Sequence, residues 1–417
     1  MIERRQFMCA MAALAAGSFI RPVFAQQDFA AVIEQLRGYV ADAKLPFAAI
    51  RIARHGQVLA EAYLPGLEPV GPDSVYRIYS MTKPVVAAAV VALVERGSLS
   101  LADPVAKFVP EFSRLEVLVE DNGQREPART MTVAHLLTHS NGLGNSWANT
   151  KVAPLYREAG LVAAQWMYDP KIGGLAGFAE RLGTLPLLFQ PGSDWEYGYG
   201  LDIAGLVIER VSGQRLGQFL QQQFFAPLGM TATGFFLPED RKEHLAGLYR
   251  VHEDSLVRVA DGSELAPLRQ PYADAGSGGL VSTLEDYGRF ADMLANGGRR
   301  GDVRVLAADS VRRLIEPYGD QAPLLPSLQR FGGYEPGSVG QALGGISRRD
   351  DRAGPGSAGE YAWGGAAGTG FWATPGLGLS VTLMTQMMPV TAMPARDLLR
   401  PMVYADVASR SPRPQSR

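Results

Sequence analysis

Apolar residues recur at helical spacing over residues 28–44, where Phe29, Val32, Ile33, Leu36 and Val40 share one face. The spacing predicts an amphipathic helix. The next stretch, "FAAIRIARHGQVLAEAYL", predicts two strands joined by a tight turn at His55-Gly56. A more apolar run follows over residues 85–94, flanked by Lys83-Pro84 and by Glu95-Arg96. Proline lacks an N–H and clashes with the carbonyl four residues back, so this helix is expected to begin close to Ser80. Val86, Val90, Leu93 and Val94 form its expected buried stripe, and Gly97 its stop. A bilayer span takes roughly 18 apolar residues or more, so this shorter run reads as a core helix.

From about residue 100 to 245 helical signals dominate, with long irregular connections. Thr132 is placed to cap "VAHLLTH", with Asn141-Gly142 ending it, and residues 201–211 predict a helix ending at Ser212-Gly213. Beyond Gly278, Ser282 and Glu285 have the spacing of a capping box for a helix that ends at Gly297. Three strand-like runs come late: "EYAWGGAAG", "TGFWATPG" and "LGLSVTLMTQM". Strands near both ends with helices between predict an α/β (α+β) fold, one sheet built from residues 26–99 and 275–410. A mainly helical domain over residues 100–274 is inserted. Residues 318–360, rich in Gly, Pro and charge, carry no usable period and are assigned no elements.

Composition narrows the class. The 417 residues are 47 % hydrophobic, enough for a sizeable core, and the formal net charge of -2 points to neither a nucleic-acid partner nor an anionic membrane surface. Residues 1–25 read as an export signal, with Arg4 and Arg5, an apolar stretch over 8–20, and Val23-Phe24-Ala25 before a cleavage point. "ERRQFM" is similar to the twin-arginine signal, so a periplasmic or secreted protein is expected, by that route or by the general secretory one. The single cysteine, Cys9, leaves with this segment, and the mature chain then has no thiol nucleophile or disulfide. No later segment is long enough to span a bilayer, and no pattern specifies an oligomeric state.

Two polar residues at the mouth of the apolar helix carry the first chemistry. Ser80 and Lys83 are three apart, hence on one helical face and within hydrogen-bonding reach. A buried, unpaired ammonium is costly, so Lys83 either snorkels to water or is used. A serine hydroxyl needs a base to become a nucleophile, and a lysine shielded from water has a lowered pKa and can serve. A surface lysine beside an N-capping serine fits the same residues, and S-x-x-K alone does not choose. Tyr197, in "WEYGYGLDIAGLVIERVSG", stands just before a helix. A nearby cation would stabilise its phenolate and let it relay a proton, while packing at a helix entrance needs no chemistry at all. Trp363-Gly364-Gly365 followed by Ala366 reads as a strand whose glycines permit close approach to its backbone. A free N–H there, with that of Ser80, would make an oxyanion hole; a tight kink fits equally well.

His135 and His139 have the i, i+4 spacing of a zinc-binding helix, but Leu136 stands where the metalloprotease pattern needs glutamate. Capping or core packing is therefore expected for both. No serine lies in G-x-S-x-G, so the α/β-hydrolase nucleophile elbow is missing. No metal or other cofactor is called for.

Taken in order, "SMTK", "WEYGYGLDIAGLVIERVSG", "FAPLGMTATGF", "GSGGLVSTLEDYGRFADMLANGG" and "WGGAAGT" resemble the class C β-lactamase-like serine hydrolases, and within them the family VIII carboxylesterases. The resemblance runs from about residue 30 to 405. It implies an antiparallel sheet flanked by helices, a helical domain beside it, and a site in the cleft. It implies Ser80 as acylated nucleophile and Lys83 as its proton acceptor. Tyr197 would carry the proton to the leaving group and later help activate water, with the N–H groups of Ser80 and Ala366 holding the oxyanion. Two departures matter. Where the β-lactamases have asparagine this chain has Tyr199, and where their late strand begins Lys-Thr-Gly this one has Trp363-Gly364-Gly365. Losing that lysine removes a grip on a substrate carboxylate, although Arg348 or Arg349 could replace the charge; Trp363 offers an aromatic wall to an uncharged group. The expected activity is hydrolysis of small carboxylic esters, short-chain or aromatic. The alternatives are a β-lactamase or D-amino-acid peptidase with the same catalytic set, and a non-catalytic penicillin-binding-like protein.

Overall fold

Strands from near the two ends of the chain meet in one seven-stranded antiparallel sheet of a computed structural model, which describes residues 29–119 and 123–410. The expected export segment, with Cys9, lies outside the described residues. The early hairpin is β1 (Ala48–Arg54) and β2 (Gln57–Leu64). The late strands are β3 (Val339–Ala342), β4 (Gly345–Arg348), β5 (Tyr361–Gly364), β6 (Gly370–Thr374) and β7 (Leu379–Met384). Their spatial order is β3-β4-β5-β6-β7-β1-β2, so the last strand pairs with the first, Ile52 opposite Val381. Central β1, β6 and β7 are almost wholly buried, whereas edge strand β2 alternates between exposed and covered positions.

Successive side chains point to opposite faces of a strand, and β6 shows what each face meets. The Phe371 ring lies 5.2 Å from that of Tyr287 on α5 (Leu284–Ala295). Its neighbour Trp372 lies 5.0 Å under the guanidinium of Arg400 on α7 (Ala395–Arg410). The sheet is thus sandwiched between helices. The first helix, α1 (Ala30–Ala41), packs beside α7.

The apolar helix is α2 (Thr82–Glu95). Every residue from Thr82 to Leu93 is buried, so the expected stripe is instead a full circumference, and Val94 is only half-buried. The cause is packing: α2 runs between other elements, touching α4 (Gly200–Ser212) and the helix Ala308–Ile315. Gly97 follows it in the left-handed conformation, φ 69°, as a stop requires.

Three local expectations shift. The cap of α5 is Thr283, whose hydroxyl accepts from Asp286 N at 3.1 Å, not Ser282. Ser282 is held extended by pairing with Tyr76 and turns its hydroxyl to Thr233. The helix capped by Thr132, α3 (Val133–Leu137), stops before Asn141-Gly142, because Thr138 bonds back to Ala134 O and His139 takes φ 55°. Residues 318–360, which show no usable period in sequence, contain β3, β4 and α6 (Leu325–Gly332). Four-residue strands interrupted by glycine carry too little alternation to be seen before the sheet covers them. Among the described residues no helix is long and apolar enough to cross a membrane.

Candidate active site

Ser80 sits in a single 3-10 turn, Tyr79–Met81, that leads directly into α2. Tyr79 has φ 44°, a left-handed conformation costing about 1–3 kcal/mol in a bulky residue unless its surroundings impose it. They do. The Thr82 hydroxyl donates to Tyr79 O at 2.7 Å and accepts from Leu280 N at 3.1 Å, and the Tyr287 hydroxyl donates to Met81 O at 2.8 Å. The turn that carries Ser80 is therefore clamped from α5 and from the segment before it.

One turn on, Lys83 is 2 % exposed and does not snorkel. Its Nζ donates to Ser277 O at 2.6 Å, stands 3.4 Å from Ser80 Oγ, and lies 4.3 Å from the centre of the Tyr197 ring. The Tyr197 hydroxyl donates to Ser80 Oγ at 2.5 Å. The Tyr197 carbonyl accepts from Asn145 Nδ2 at 2.6 Å, and its ring stacks 4.9 Å from Phe331. A hydroxyl, an amine and a phenol from distant parts of the chain converge.

The glycine-bearing strand reaches the same place. A Cβ at Gly365 would stand 2.5 Å from Ile78 O, so only glycine lets the end of β5 lie against the residue two before Ser80. That contact brings Ala366 to the cavity. Among the described residues, neither the Ser80 N–H nor the Ala366 N–H has an acceptor. Trp363 walls the cavity, its ring 6.1 Å from that of Tyr197. Tyr199 also lines it, but its hydroxyl is occupied by Leu161 O at 2.7 Å and Ser146 Oγ at 2.9 Å, so it ties down the 145–161 loop. The cavity holds about 780 Å³, with exposed Trp147 and Phe331 among its lining residues.

Residues 29–401 match the family model described as Beta-lactamase. The chain belongs to the β-lactamase family. It is 33 % identical to esterase EstB of Burkholderia gladioli, over 80 % of this chain and 84 % of that one. Among solved structures it is similar to EstCE1, described as a hydrolase with promiscuous acyltransferase activity, with a TM-score of 0.76 and 23 % identity over 90 % and 97 % of the two chains. Simvastatin synthase LovD from Aspergillus terreus gives a TM-score of 0.75 at 24 % identity, covering 91 % of this chain and 98 % of that one. At these identities the structures speak for the fold.

In this β-lactamase-family protein the two histidines of "HLLTH" are structural. His135 completes a reciprocal cap with Thr132, its Nδ1 accepting from Thr132 N at 3.2 Å. His139 is fully buried between Trp195, Tyr197 and Trp363, and burial, then the charge of Lys83, holds its pKa well below the usual 6.5. Neither arginine proposed as a replacement cation lines the cavity: Arg348 pairs with buried Glu360 at 3.2 Å and Arg349 is exposed. Arg396, in the first turn of α7, lines it instead. No motif marks that residue, nor Asn145 or Phe331; the fold alone brings them in.

Asp202, in the first turn of α4, and Ser277 both lie within motifs, but the fold alone decides that they meet. Wholly buried, Asp202 accepts from Ser277 N at 3.0 Å, while the carbonyl of Ser277 accepts from Lys83. One residue thus links carboxylate and amine. Burial pushes the Asp202 carboxyl up to about 6, against the pull of the Ser277 hydrogen bonds and the Lys83 charge. A folded-state pKa above the unfolded one means stability is lost as pH rises from about 4 through 6. Asp202→Asn keeps an acceptor for Ser277 N–H and removes the charge. Denaturant unfolding is expected to show the variant gaining on the order of 1–2 kcal/mol over wild type at pH 7.5 and nothing at pH 4. An equal difference at both pH values would mean that the ionised carboxylate is not the cost.

Proposed function

We propose that this protein hydrolyses small carboxylic esters, short-chain or aromatic, through an acyl-enzyme on Ser80. The observation that carries the reading is the 2.5 Å hydrogen bond between Tyr197 and Ser80, with Lys83 3.4 Å from the same oxygen. As Ser80 Oγ attacks the ester carbonyl carbon, its proton passes to Lys83, whose charge is shared with the Tyr197 ring. The N–H groups of Ser80 and Ala366 hold the oxyanion. Tyr197 delivers the proton to the departing alkoxide, and the same pair then takes a proton from the water that attacks the acyl-enzyme. Substrate enters the cleft between the sheet and the region over residues 100–274.

The ester assignment rests on the lining. Trp363 occupies the position where a lysine would grip a carboxylate, and Trp147 and Phe331 extend the apolar wall. The relative EstB is described as an esterase. The same catalytic set serves β-lactamases and D-amino-acid peptidases, and substrate ranking separates the readings. We expect kcat/KM for p-nitrophenyl butyrate to exceed that for a chromogenic cephalosporin by roughly 100-fold or more. The reverse ranking would move the assignment to a β-lactamase.

A further inference from the structure

The carboxylate of Asp202 costs the fold something that an asparagine would not. It is wholly buried, and its Oδ2 accepts no hydrogen bond among the described residues. Burial raises its pKa to about 6, so keeping it ionised at neutral pH lowers stability. Its Oδ1 accepts from Ser277 N at 3.0 Å, a bond that an amide oxygen would accept as well. A charge kept at the expense of stability, close to a reacting group, points to a role outside the fold.

The segment that carries Ser277 is shaped to lie there. A Cβ at Gly276 would overlap Leu201 O, so glycine lets the chain rest on the first turn of α4. Ser277 N then reaches Asp202, and Ser277 O reaches Lys83 Nζ at 2.6 Å. To this corner α2 presents Lys83, whose charge draws the Asp202 pKa down. The turn after α3 presents His139, whose pKa burial holds well below 6.5, and the chain before α4 presents Tyr197 and Tyr199. Asp274, three residues before Ser277, is already paired with Arg215 at 2.7 Å.

We propose that Asp202 is a positioning residue of the acyl-transfer step: through Ser277 its carboxylate holds Lys83 against Ser80, and full activity requires that carboxylate to be ionised. The proposal rests on the Ser80 and Lys83 mechanism above and adds to it a group outside the cavity lining. Ionised, Asp202 grips Ser277 N–H through a charge-assisted hydrogen bond, about twice as strong as one to an uncharged acceptor. On that mechanism Lys83 becomes an ammonium as it takes the Ser80 proton, and the carboxylate is a counter-charge already in place. Protonation of Asp202 removes both effects.

Asp202→Asn keeps an acceptor for Ser277 N–H and fixes the side chain in an uncharged state. The ratio of wild-type to variant kcat/KM for p-nitrophenyl butyrate therefore reads the ionisation. It is expected to be about 1 at pH 5 and to rise through pH 6 to roughly 10-fold at pH 8, carried by kcat with KM little changed. The carboxylate exists above its pKa, so its benefit appears as pH rises. Because the asparagine variant is expected to be the more stable protein at pH 7.5, unfolding does not mimic the loss. Asp202→Ser, smaller and uncharged, carries the comparison if the asparagine variant does not fold. Wild-type turnover of the ester tests the ester reading by itself; without it, the rate of Ser80 labelling by a fluorophosphonate probe supplies the same ratio. A ratio that stays constant with pH, a variant faster than wild type at pH 8, or a loss confined to KM would overturn the proposal.

Discussion

Ser80→Ala is expected to lower kcat/KM for p-nitrophenyl butyrate by roughly 100,000-fold or more and to abolish covalent labelling by a fluorophosphonate probe. The size follows from the site. Lys83 and Tyr197 converge on one oxygen, so on the proposed mechanism its removal leaves both with nothing to activate. What remains is the rate that two N–H donors and an apolar pocket give to bulk water. The fold should survive, since the Ser80 turn is clamped by Thr82 and Tyr287 rather than by the serine hydroxyl. An unfolding midpoint within a few degrees of wild type therefore accompanies the loss. A variant that still takes the probe would transfer the nucleophile's role elsewhere.

Lys83→Ala should be nearly as damaging, with a loss of roughly 10,000-fold, because members of a catalytic unit do not act additively. Lys83 is buried and touches both partners, reaching Ser80 Oγ and the Tyr197 ring. On the proposed mechanism its removal leaves the serine without a proton acceptor. The double variant Ser80→Ala, Lys83→Ala should be no worse than Ser80→Ala alone, the mark of two groups serving one step. Alanine also empties a cavity and orphans Ser277 O, so Lys83→Met, which fills the space, separates chemistry from packing. Near wild-type rates in either single variant would make the lysine a bystander.

Much of the architecture was legible because it depends on local signals. Periodicity around Val32 and Leu36, the His55-Gly56 turn and the apolar run before Gly97 each show in their own window of chain. So did the joining of early with late strands in one sheet, because those runs carry aromatic and β-branched residues between glycine and proline turns. β3 and β4 were not legible, since short glycine-containing strands become strands only when a neighbour supplies their hydrogen bonds. The cap at Thr283 rather than Ser282 is the same lesson in miniature: two hydroxyls stand side by side, and the Tyr76 pairing decides which one is free to cap.

The candidate site divides along the same line. The sequence by itself determined which groups are present and in what order: Ser80 and Lys83 one helical turn apart, Tyr197 before its helix, and glycines after Trp363, because each is a local pattern or a motif. Only the tertiary structure decided that they meet, since the spacing between Ser80 and Tyr197 along the chain says nothing about the 2.5 Å between their oxygens. It also decided that Asp202 reaches Lys83 through Ser277, and that Arg396 rather than Arg348 borders the cavity. The physical reason is the same each time: a charge's meaning depends on its partners and its distance from water, and both are set by packing between segments far apart in the chain.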